Sequence, residues 1–348
     1  MSEQVPAQWS NFYLKDVSFV NLMMRRIYNV LIVANPYDAF MLEDDGRVEE
    51  KIYNEYMELG LRYPPTFTQV STIEEASKVL NTVDIDLVIC MPGNADNDAF
   101  DVARAVKAEF PDIHCVVLTP FSHGITKRIQ NEDLSIFDYV FCWLGNTNLI
   151  LSIIKLMEDK MNIDNDIHEV GVQMILLVED SIRFYSSILP NLYSYILTQS
   201  QNFATEALTR HEASLRQRGR PKVVLARTYE EAWDIYQRYK DNCLGVISDV
   251  RFPINNVEDK GSSATEGNIP VAEKDPEAGL KLLRAIRKED EYLPLIIESS
   301  ESENREKAEA EGFHFVDKNS KKMSVDLRHL LEEHMGFGDF IFRNPETR

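Results

Sequence analysis

The 348-residue chain has little positive charge, few cysteines and no long apolar run. Its 37 Lys and Arg stand against 57 Asp and Glu, and the formal net charge of −20 disfavours contact with nucleic-acid phosphates and anionic lipid surfaces. No apolar run approaches the roughly 18 residues that a membrane helix needs, and the N-terminus has no hydrophobic signal core. We therefore expect a cytoplasmic protein that contacts neither nucleic acid nor membrane.

Motifs for catalysis on a free substrate are also missing. The four cysteines, Cys90, Cys115, Cys142 and Cys243, include no C-x-x-C pair and lie in apolar stretches, so we expect buried thiols in a reducing compartment. The sequence has no glycine-rich phosphate loop and no Ser-His-Asp order. We expect a regulatory protein, not an enzyme, although a fragment of a larger enzyme stays open.

Short apolar runs alternate with helical patterns twice along the chain. Continuous apolar and β-branched runs are typical of strands buried on both faces of a parallel sheet. Each half is predicted to be an α/β fold, a doubly wound five-stranded parallel sheet with helices on both faces. The predicted strands are 30–34, 67–70, 87–90, 115–118 and 139–142 in the first half and 174–178, 223–226, 244–247, 295–297 and 313–316 in the second.

The remaining segments define the predicted domain boundaries. An apolar N-terminal stretch predicts a helical extension over 1–26, before the first fold at 27–161. A polar stretch with a closing glycine predicts a linker over 162–171, followed by the second fold at 172–335. The apolar, glycine-punctuated end, 336–348, is interpreted as a tail or the start of a missing downstream module.

The second half carries two long additions. Residues 191–217 have a helical pattern and as one helix would reach about 40 Å, so we expect this helix either to pack on the first half or to form a homodimer interface. The segment 255–278 is rich in Gly, Ser, Pro and acids, which predicts a mobile loop near the site described next.

Polar side chains follow four of the five predicted strands of the second half. Glu179 and Asp180 follow the first, Asp249 the third, Ser299 the fourth and Lys318 the fifth. Function in such sheets lies beyond the carboxyl ends of the strands, so we expect these groups to converge. Clustered carboxylates suit Mg²⁺, and a carboxylate beside Mg²⁺ can accept a phosphoryl group while a lysine and a hydroxyl offset charge on its oxygens.

These motifs resemble the receiver domains of bacterial two-component response regulators. The resemblance covers roughly residues 172–335 and rests on LLVEDS (176–181), VISDVRFP (246–253), LPLIIESS (293–300) and FHFVDK (313–318). It implies the flavodoxin-like receiver fold, with Asp249 as phosphoacceptor. It also implies an Mg²⁺ site formed by Glu179, Asp180, Asp249 and the backbone carbonyl of Arg251.

The resemblance further implies a conformational switch. Lys318 takes the invariant lysine position, Ser299 the switch hydroxyl position and Phe315 the position of the aromatic that turns inward. Arg251 and Glu301 occupy positions that border the phosphoryl group in this family, and we expect their opposite charges to pair and to shield it from water.

Two departures from the family pattern concern the surroundings of the site. Asn319 follows Lys318 where the family has proline, so the usual cis bond is in doubt. The glycine that normally follows the third strand closely corresponds to Gly279, displaced by the inserted loop, and that loop could gate the acceptor.

The first half aligns with the same pattern and lacks its chemistry. Ala34 and Asn35 stand at the acidic-pair positions, Met91 at the acceptor and Cys142 at the lysine, while Thr119 keeps the hydroxyl. Residues 27–161 are therefore interpreted as a pseudo-receiver that serves as an interaction or regulatory platform. The nearby acids Asp96, Asp98 and Asp101 are interpreted as a solvated helix start.

The leading hypothesis is a response regulator phosphorylated by a histidine kinase or a phosphotransfer protein. No DNA-binding output domain is apparent, so the output is expected to be contact with a protein partner or with a missing downstream module. The alternatives are a phosphorylation-independent scaffold and the regulatory N-terminal half of a larger enzyme. The chain's end is weakly similar to junctions that precede phosphoenolpyruvate synthase-like modules.

Overall fold

The computed structural model describes residues 22–40, 42, 47–92, 99–120, 136–143, 145–254 and 274–335. Most of the predicted N-terminal extension and the whole segment 336–348 lie outside these ranges, as do Asp96 and Asp98. No helix in the described part of the chain is both long enough and apolar enough to cross a membrane.

The first half is a parallel sheet with strand order β2-β1-β3-β4-β5. All five predicted strands are confirmed. The strands are β1 (Asn29–Val33), β2 (Thr66–Val70), β3 (Leu87–Cys90), β4 (His114–Pro120) and β5 (Tyr139–Trp143), and the described helices are α1 (Pro36–Phe40), α2 (Val48–Glu58), α3 (Ile73–Leu80), α4 (Ala99–Glu109) and α5 (Asn148–Asn165).

The second half repeats the arrangement, with strand order β7-β6-β8-β11-β12. Both sheets thus have the doubly wound 2-1-3-4-5 order of flavodoxin-like folds, as predicted. The strands are β6 (Met174–Val178), β7 (Lys222–Ala226), β8 (Cys243–Asp249), β11 (Leu295–Ser299) and β12 (His314–Asp317), and the helices are α6 (Ile182–Thr205), α7 (Arg210–Arg218), α8 (Tyr229–Tyr239), α9 (Ala278–Glu289), α10 (Glu303–Ala310) and α11 (Met323–Glu333).

Helix starts follow capping chemistry at equivalent points of the two halves. The Thr72 hydroxyl accepts a hydrogen bond from the Glu75 N–H before α3, and Thr228 accepts one from Glu231 before α8, each at 3.2 Å. A threonine oxygen that satisfies a free N–H of the first helical turn fixes where the helix begins.

The inserted loop of the second half is closed at its base. A two-residue strand β9 (Phe252–Pro253) pairs antiparallel with β10 (Lys274–Asp275). Residues 255–273, most of the loop, lie outside the described residues. The ribbon places Lys274 beside the carboxyl edge of the second sheet.

The two halves share one hydrophobic core. Helices α5 and α6 lie between the sheets, and buried residues of both sheets join the same cluster, for example Ile89 and Leu118 with Leu177 and Val223. None of the described cysteines forms a disulfide; Cys90, Cys115 and Cys142 are buried, as predicted, and Cys243 is partly buried.

The predicted linker, 162–171, has a different conformation from the irregular one its polar sequence suggested. Helix α5 continues to Asn165, a π-helical turn spans Asp166–Val170, and Gly171 closes it in the left-handed region at φ 78°. Asn162 and Asp166 are buried because they receive hydrogen bonds from the backbone N–H groups of Arg25 and Met23, at 2.9 and 3.0 Å.

Those donors belong to the segment 22–28, which we call the strap; it begins with a turn at Leu22 and Met23 and contains no helix or strand. The backbone N–H of Ile27 also donates to Glu158 of α5, at 3.3 Å. Leu22 and Ile27 are buried. The helix predicted over 1–26 is therefore wrong for residues 22–26, which form a turn and an irregular segment, with the N–H groups of Met23 and Arg25 bonded to the side chains of Asp166 and Asn162.

The single helix predicted over 191–217 is also wrong. Helix α6 begins at Ile182, passes through Pro190 and ends at Thr205, and the chain then turns back as α7. The Arg216 guanidinium donates to the Phe203 carbonyl at 2.8 Å. The apolar face of α6 is buried against α5 and β5, so this helix packs on the first half and does not offer that face to a second copy.

Candidate functional site

The predicted site residues of the second half meet at the carboxyl edge of its sheet. β6, β8 and β11 are the three central strands, and Glu179, Asp249 and Ser299 stand at or just beyond their ends. In register, Asp249 pairs with Glu298 and Ser299 with Asp317. Lys318 follows β12, and its backbone N–H donates to the Ser299 carbonyl at 3.0 Å.

Three carboxylates form the centre of the site. One oxygen from each of Glu179, Asp180 and Asp249 lies within 4.8 Å of the others. The Oδ1 atom of Asp180 is buried and has no hydrogen-bond partner. A set of hard oxygen donors with one acceptor unused fits Mg²⁺, which binds through a few carboxylates and keeps several waters.

Lys318 offsets the negative charge of this cluster. Its ammonium donates hydrogen bonds to Glu179 and to the Oδ1 of Asp249, the latter at 2.6 Å, and lies 4.5 Å from the centre of the Phe184 ring. Burial alone would lower the pKa of Lys318, but Glu179, Asp249 and Glu298 outweigh it and the pKa is raised. The lysine is therefore held charged beside Asp249.

A second lysine reaches the site from the inserted loop. The Lys274 ammonium, on β10, lies 2.5 Å from Oδ2 of Asp180. Burial raises the pKa of Asp180 even though Lys274 opposes the shift. Burial likewise raises the pKa of Glu179 to about 7, against the effect of Lys318. Both pKa values are raised because the carboxylates are clustered where little water reaches them. A bound cation would lower the cost of keeping them ionised.

Ser299 and the loop after β11 form the rim of the site. The Ser299 hydroxyl accepts hydrogen bonds from the Glu301 N–H at 3.1 Å and from the Asn304 side-chain amide at 2.9 Å. The Arg251 guanidinium pairs with Glu301 at 2.9 Å, with both side chains about half exposed. The Arg251 N–H donates to Asp249 at 3.2 Å. The rim therefore links the end of β8 to the loop that follows β11.

Phe315 and Gly279 complete the surroundings. Phe315 is partly buried, with its ring centre 4.6 Å from the Arg305 guanidinium carbon. A Cβ on Gly279 would stand only 1.9 Å from the Asp249 carbonyl oxygen, so α9 can approach β8 only with glycine there.

Asn319 stands where the receiver pattern has proline, and its side-chain amide donates to the Ser300 carbonyl at 3.0 Å. The described residues include no cis peptide bond.

Glu298 is a buried carboxyl that the sequence motifs do not single out. It is fully buried, and neither of its oxygens has a hydrogen-bond partner. Burial raises its pKa to about 8, against the attraction of Lys318. Glu298 is therefore held protonated beneath the site at neutral pH.

The corresponding edge of the first half has no such cluster among its described residues. Ala34, Met91 and Cys142 are buried and Asn35 holds the start of α1, accepting hydrogen bonds from the N–H groups of Tyr37 and Asp38 at 2.9 Å each.

Two further outcomes concern polar positions of the first half. Thr119 is buried at the end of β4. Asp101 is exposed and pairs with Arg104 at 2.6 Å, as a solvated helix start would.

The structure adds residues that the sequence motifs missed. Phe184, Lys274, Glu298 and Asn304 all touch or surround the cluster. Asn304 lies one helical turn beyond the Ser299 loop, a spacing that could have indicated it. Nothing local marks Lys274, because its position depends on how the inserted loop closes.

The structure resembles solved receiver domains at low sequence identity. One is the signal receiver domain of a putative Luxo repressor protein from Vibrio parahaemolyticus, with 13% identity, a TM-score of 0.30, and coverage of 41% of this chain and 98% of the other. Another is the signal receiver domain of a signal transduction histidine kinase from Syntrophus aciditrophicus. It has 20% identity, a TM-score of 0.29, and coverage of 38% of this chain and 91% of the other.

A third similar structure is the response regulator protein TrrA from Thermotoga maritima, in complex with Mg²⁺ and BeF. It has 19% identity, a TM-score of 0.27, and coverage of 37% of this chain and 97% of the other. No family model and no curated protein sequence matches the chain.

Proposed function

We propose that the second half is a receiver domain of two-component signalling, phosphorylated on Asp249 in an Mg²⁺-dependent reaction. The convergence of Glu179, Asp180 and Asp249 within 4.8 Å, with Lys318 bonded to the acceptor, is the observation that carries this proposal. The phosphodonor would be a phosphohistidine of a kinase or phosphotransfer protein, or a small acyl phosphate. The chain's own role is that of a regulatory protein.

The proposed step is a displacement at phosphorus. A carboxylate oxygen of Asp249 forms the new P–O bond while the bond from phosphorus to the donor breaks, and the donor leaves with that electron pair. Glu179, Asp180 and Asp249 would hold Mg²⁺, with the Arg251 carbonyl as a further ligand. The metal, when bound, supplies positive charge that stabilises the transferring oxygens.

Lys318 and Ser299 would stabilise the phosphoryl group both during its transfer and in the phosphorylated product. The Lys318 ammonium already donates to Oδ1 of Asp249, so it is placed to donate to an oxygen of the phosphoryl group once Oδ1 or Oδ2 is esterified. The Ser299 hydroxyl, held by Asn304 and Glu301, would turn toward the same group. The Arg251–Glu301 pair would limit access of water.

Intact mass spectrometry after incubation with acetyl phosphate and Mg²⁺ tests the proposal. We expect the mass gain of one phosphoryl group in the wild type, and none in Asp249→Asn or without Mg²⁺. Asp317→Asn, at the end of β12, is the matched control and should be labelled like the wild type. No gain in the wild type, or an equal gain in Asp249→Asn, would refute it.

Helix α6 is the proposed route from the site to the first half. Phe184 contacts Lys318, while the next two residues bond to the backbone of β5: the Tyr185 hydroxyl donates to the Val140 carbonyl, and the Ser186 hydroxyl accepts from the Cys142 N–H at 2.9 Å. Movement of Lys318 toward a phosphoryl group would therefore change contacts of α6 with the pseudo-receiver, which would act as the platform for a protein partner.

A second candidate function is a scaffold that works without phosphorylation. It is favoured by the ion pair of Lys274 with Asp180, because this lysine and Lys318 offset the acidic cluster without a metal. Titration calorimetry with Mg²⁺ distinguishes the two. Measurable binding that Lys274→Ala strengthens and Asp180→Asn removes supports the receiver function, whereas no binding in the wild type or in Lys274→Ala supports the scaffold.

A further inference from the structure

A crevice between the two halves gathers positive charge in a chain whose net charge is −20. Its walls come from the strap, the turn after α2, helices α5 and α6, and the added helix α7. The basic residues that line it are Arg26, Arg62, Lys155, Arg218 and Arg220. This crevice shares no residue with the acidic cluster.

Two of these five basic groups are already neutralised by the protein. The Lys155 ammonium lies 2.8 Å from Glu158, and Arg220 lies 2.8 Å from the buried Asp159. Both pairs are buried, so their charges are matched inside the structure and need no ligand.

The other three arginines lack such matching. Within the described ranges, Arg26, Arg62 and Arg218 form no ion pair with a carboxylate. The Nε of Arg218 is buried without an acceptor. Burial, and then the like charges of Arg26 and Arg62, lower the pKa of Arg218. A buried donor left without a partner and three cations facing one crevice are both unfavourable, and a bound anion would correct both.

The walls of the crevice are held in place by specific contacts. The Gln217 side chain, next to Arg218, donates to the carbonyls of Leu59 and Gly60, each at 3.3 Å. Gly60 has φ +61°, in the left-handed region, so this turn favours glycine. The added helix α7 is thereby fixed against the first half.

Two tyrosines stand beside the arginines. Tyr63, next to Arg62 and itself lining the crevice, packs edge-on against Tyr28 with ring centres 6.1 Å apart. Both rings are more than 40% exposed, Tyr28 at 45% and Tyr63 at 60%. Aromatic faces beside a cationic crevice would suit a ligand that carries a ring as well as an anionic group.

We propose that this crevice is a binding site for a phosphate group, whether free or carried by a nucleotide, formed by Arg26, Arg62 and Arg218. Planar guanidinium groups match the tetrahedral oxygens of phosphate and donate to several at once. Because Arg26 lies on the strap, Arg62 in the first half and Arg218 on α7, the ligand would bind all three parts together. This site would give the added segment α7 a function.

Titration calorimetry at low salt tests the site, with inorganic phosphate and ATP as separate probes. All variants are made in Asp249→Asn and measured in EDTA, so neither phosphorylation of Asp249 nor bound Mg²⁺ contributes to the heat of binding. The result therefore does not depend on whether the receiver proposal holds. We expect binding of one phosphate per chain that weakens as salt rises, and tighter binding of ATP if the ring contacts the tyrosines.

The variants assign the binding to the crevice. Arg218→Gln and Arg62→Gln should each weaken it about tenfold or more, since each removes a charge-assisted contact. Arg25→Gln, an exposed strap neighbour that does not line the crevice, is the matched control and should change affinity by less than about twofold.

The melting temperature of each variant shows whether a loss of binding is caused by misfolding. Without ligand, Arg218→Gln should melt at the same temperature as the background protein or higher, because it removes a like charge and a buried donor. Absence of binding by both probes, or unchanged affinity in both Arg218→Gln and Arg62→Gln, would overturn the proposal.

Discussion

At the scale of single residues, three acidic side chains near the carboxyl edge of the second sheet have three different environments. Asp249 accepts hydrogen bonds from Lys318 and from its own loop. Asp180 keeps an unpartnered oxygen and meets Lys274. Glu298 is fully buried with no hydrogen-bond partner. The sequence motifs predicted the first two as ligands because each follows a strand end, whereas Glu298 lies inside a strand and its environment depends on neighbouring strands.

The burial of Glu298 leads to a prediction about pH. Its pKa is raised from 4.5 to about 8, so between about pH 5 and 8 the folded protein keeps a proton that the unfolded chain has lost. The folded state then binds more protons, and the free energy of unfolding falls as pH rises through this range. Glu179, with a pKa raised to about 7, contributes in the same direction.

We expect Glu298→Gln to reduce this pH dependence. In urea denaturation with EDTA, the variant should match the wild type near pH 5 and exceed its stability by about 1 kcal/mol or more near pH 8. Glu303→Gln, at the exposed start of α10, is the control and should follow the wild-type curve. A Glu298→Gln variant whose pH dependence equals that of the wild type would contradict the assignment of a buried proton.

At the scale of elements, the two sheets were predictable and the helices between them only in part. Strands such as β3 and β6 are continuous apolar runs, which indicate burial on both faces wherever they occur. The end of α6 was not predictable, because no Gly or Pro stands between α6 and α7. Arg216 of α7 bonds back to Phe203 of α6, and Gln217 bonds to the turn at Gly60, which is 157 residues away in sequence and so invisible to a local pattern.

Helix α6 also covers an open sheet edge. β5 is the last strand of the first sheet, so its outer backbone groups have no strand partner, and the hydroxyls of Tyr185 and Ser186 bond to two of them. An edge strand left unpaired is a template for aggregation, and here a helix from the other half satisfies it. The same helix begins next to the acidic pair, so one element connects the site and the edge.

Removing one of these hydrogen bonds should lower the stability of the fold and weaken the proposed connection between Asp249 and β5. Tyr185→Phe leaves the buried Val140 carbonyl unsatisfied and is expected to lower the free energy of unfolding by about 1–3 kcal/mol. It should also reduce any change in hydrogen exchange at β5 that phosphorylation produces. Tyr292→Phe, on an exposed ring, should change neither. Exchange at β5 that responds to phosphorylation equally in Tyr185→Phe would argue against α6 as the route.

At the scale of the whole molecule, a buried ionic cluster joins the two halves. Asp159 of α5 accepts hydrogen bonds from both terminal nitrogens of the Arg220 guanidinium, at 2.9 and 2.8 Å, from the Tyr193 hydroxyl at 2.8 Å and from the Val223 N–H at 3.0 Å. Asp166 lies 2.8 Å from Lys222. Residues 162–171 have the composition of a polar linker, and no local pattern distinguishes a polar residue in solvent from one, such as Asp166, that is buried against Lys222 far along the chain.

This cluster and the shared core predict that the halves unfold together. Trp143 on β5 and Trp233 on α8 report on the two sheets separately, and single-tryptophan variants should give coincident urea transitions. Asp159→Asn should shift both transitions equally and lower the free energy of unfolding by about 3–5 kcal/mol, because Arg220 is left buried without its charge partner.

The matched control is Asp234→Asn, which breaks an exposed pair with Arg238 and should cost less than about 1 kcal/mol. If the two tryptophans report separate midpoints, or if Asp159→Asn moves only one of them, the halves are independent folding units. The buried charges would then stabilise an interface that opens before either sheet melts. Coincident midpoints mean instead that the two halves unfold as one cooperative unit around their shared core, so a change at Asp249 acts on a molecule in which neither sheet unfolds without the other.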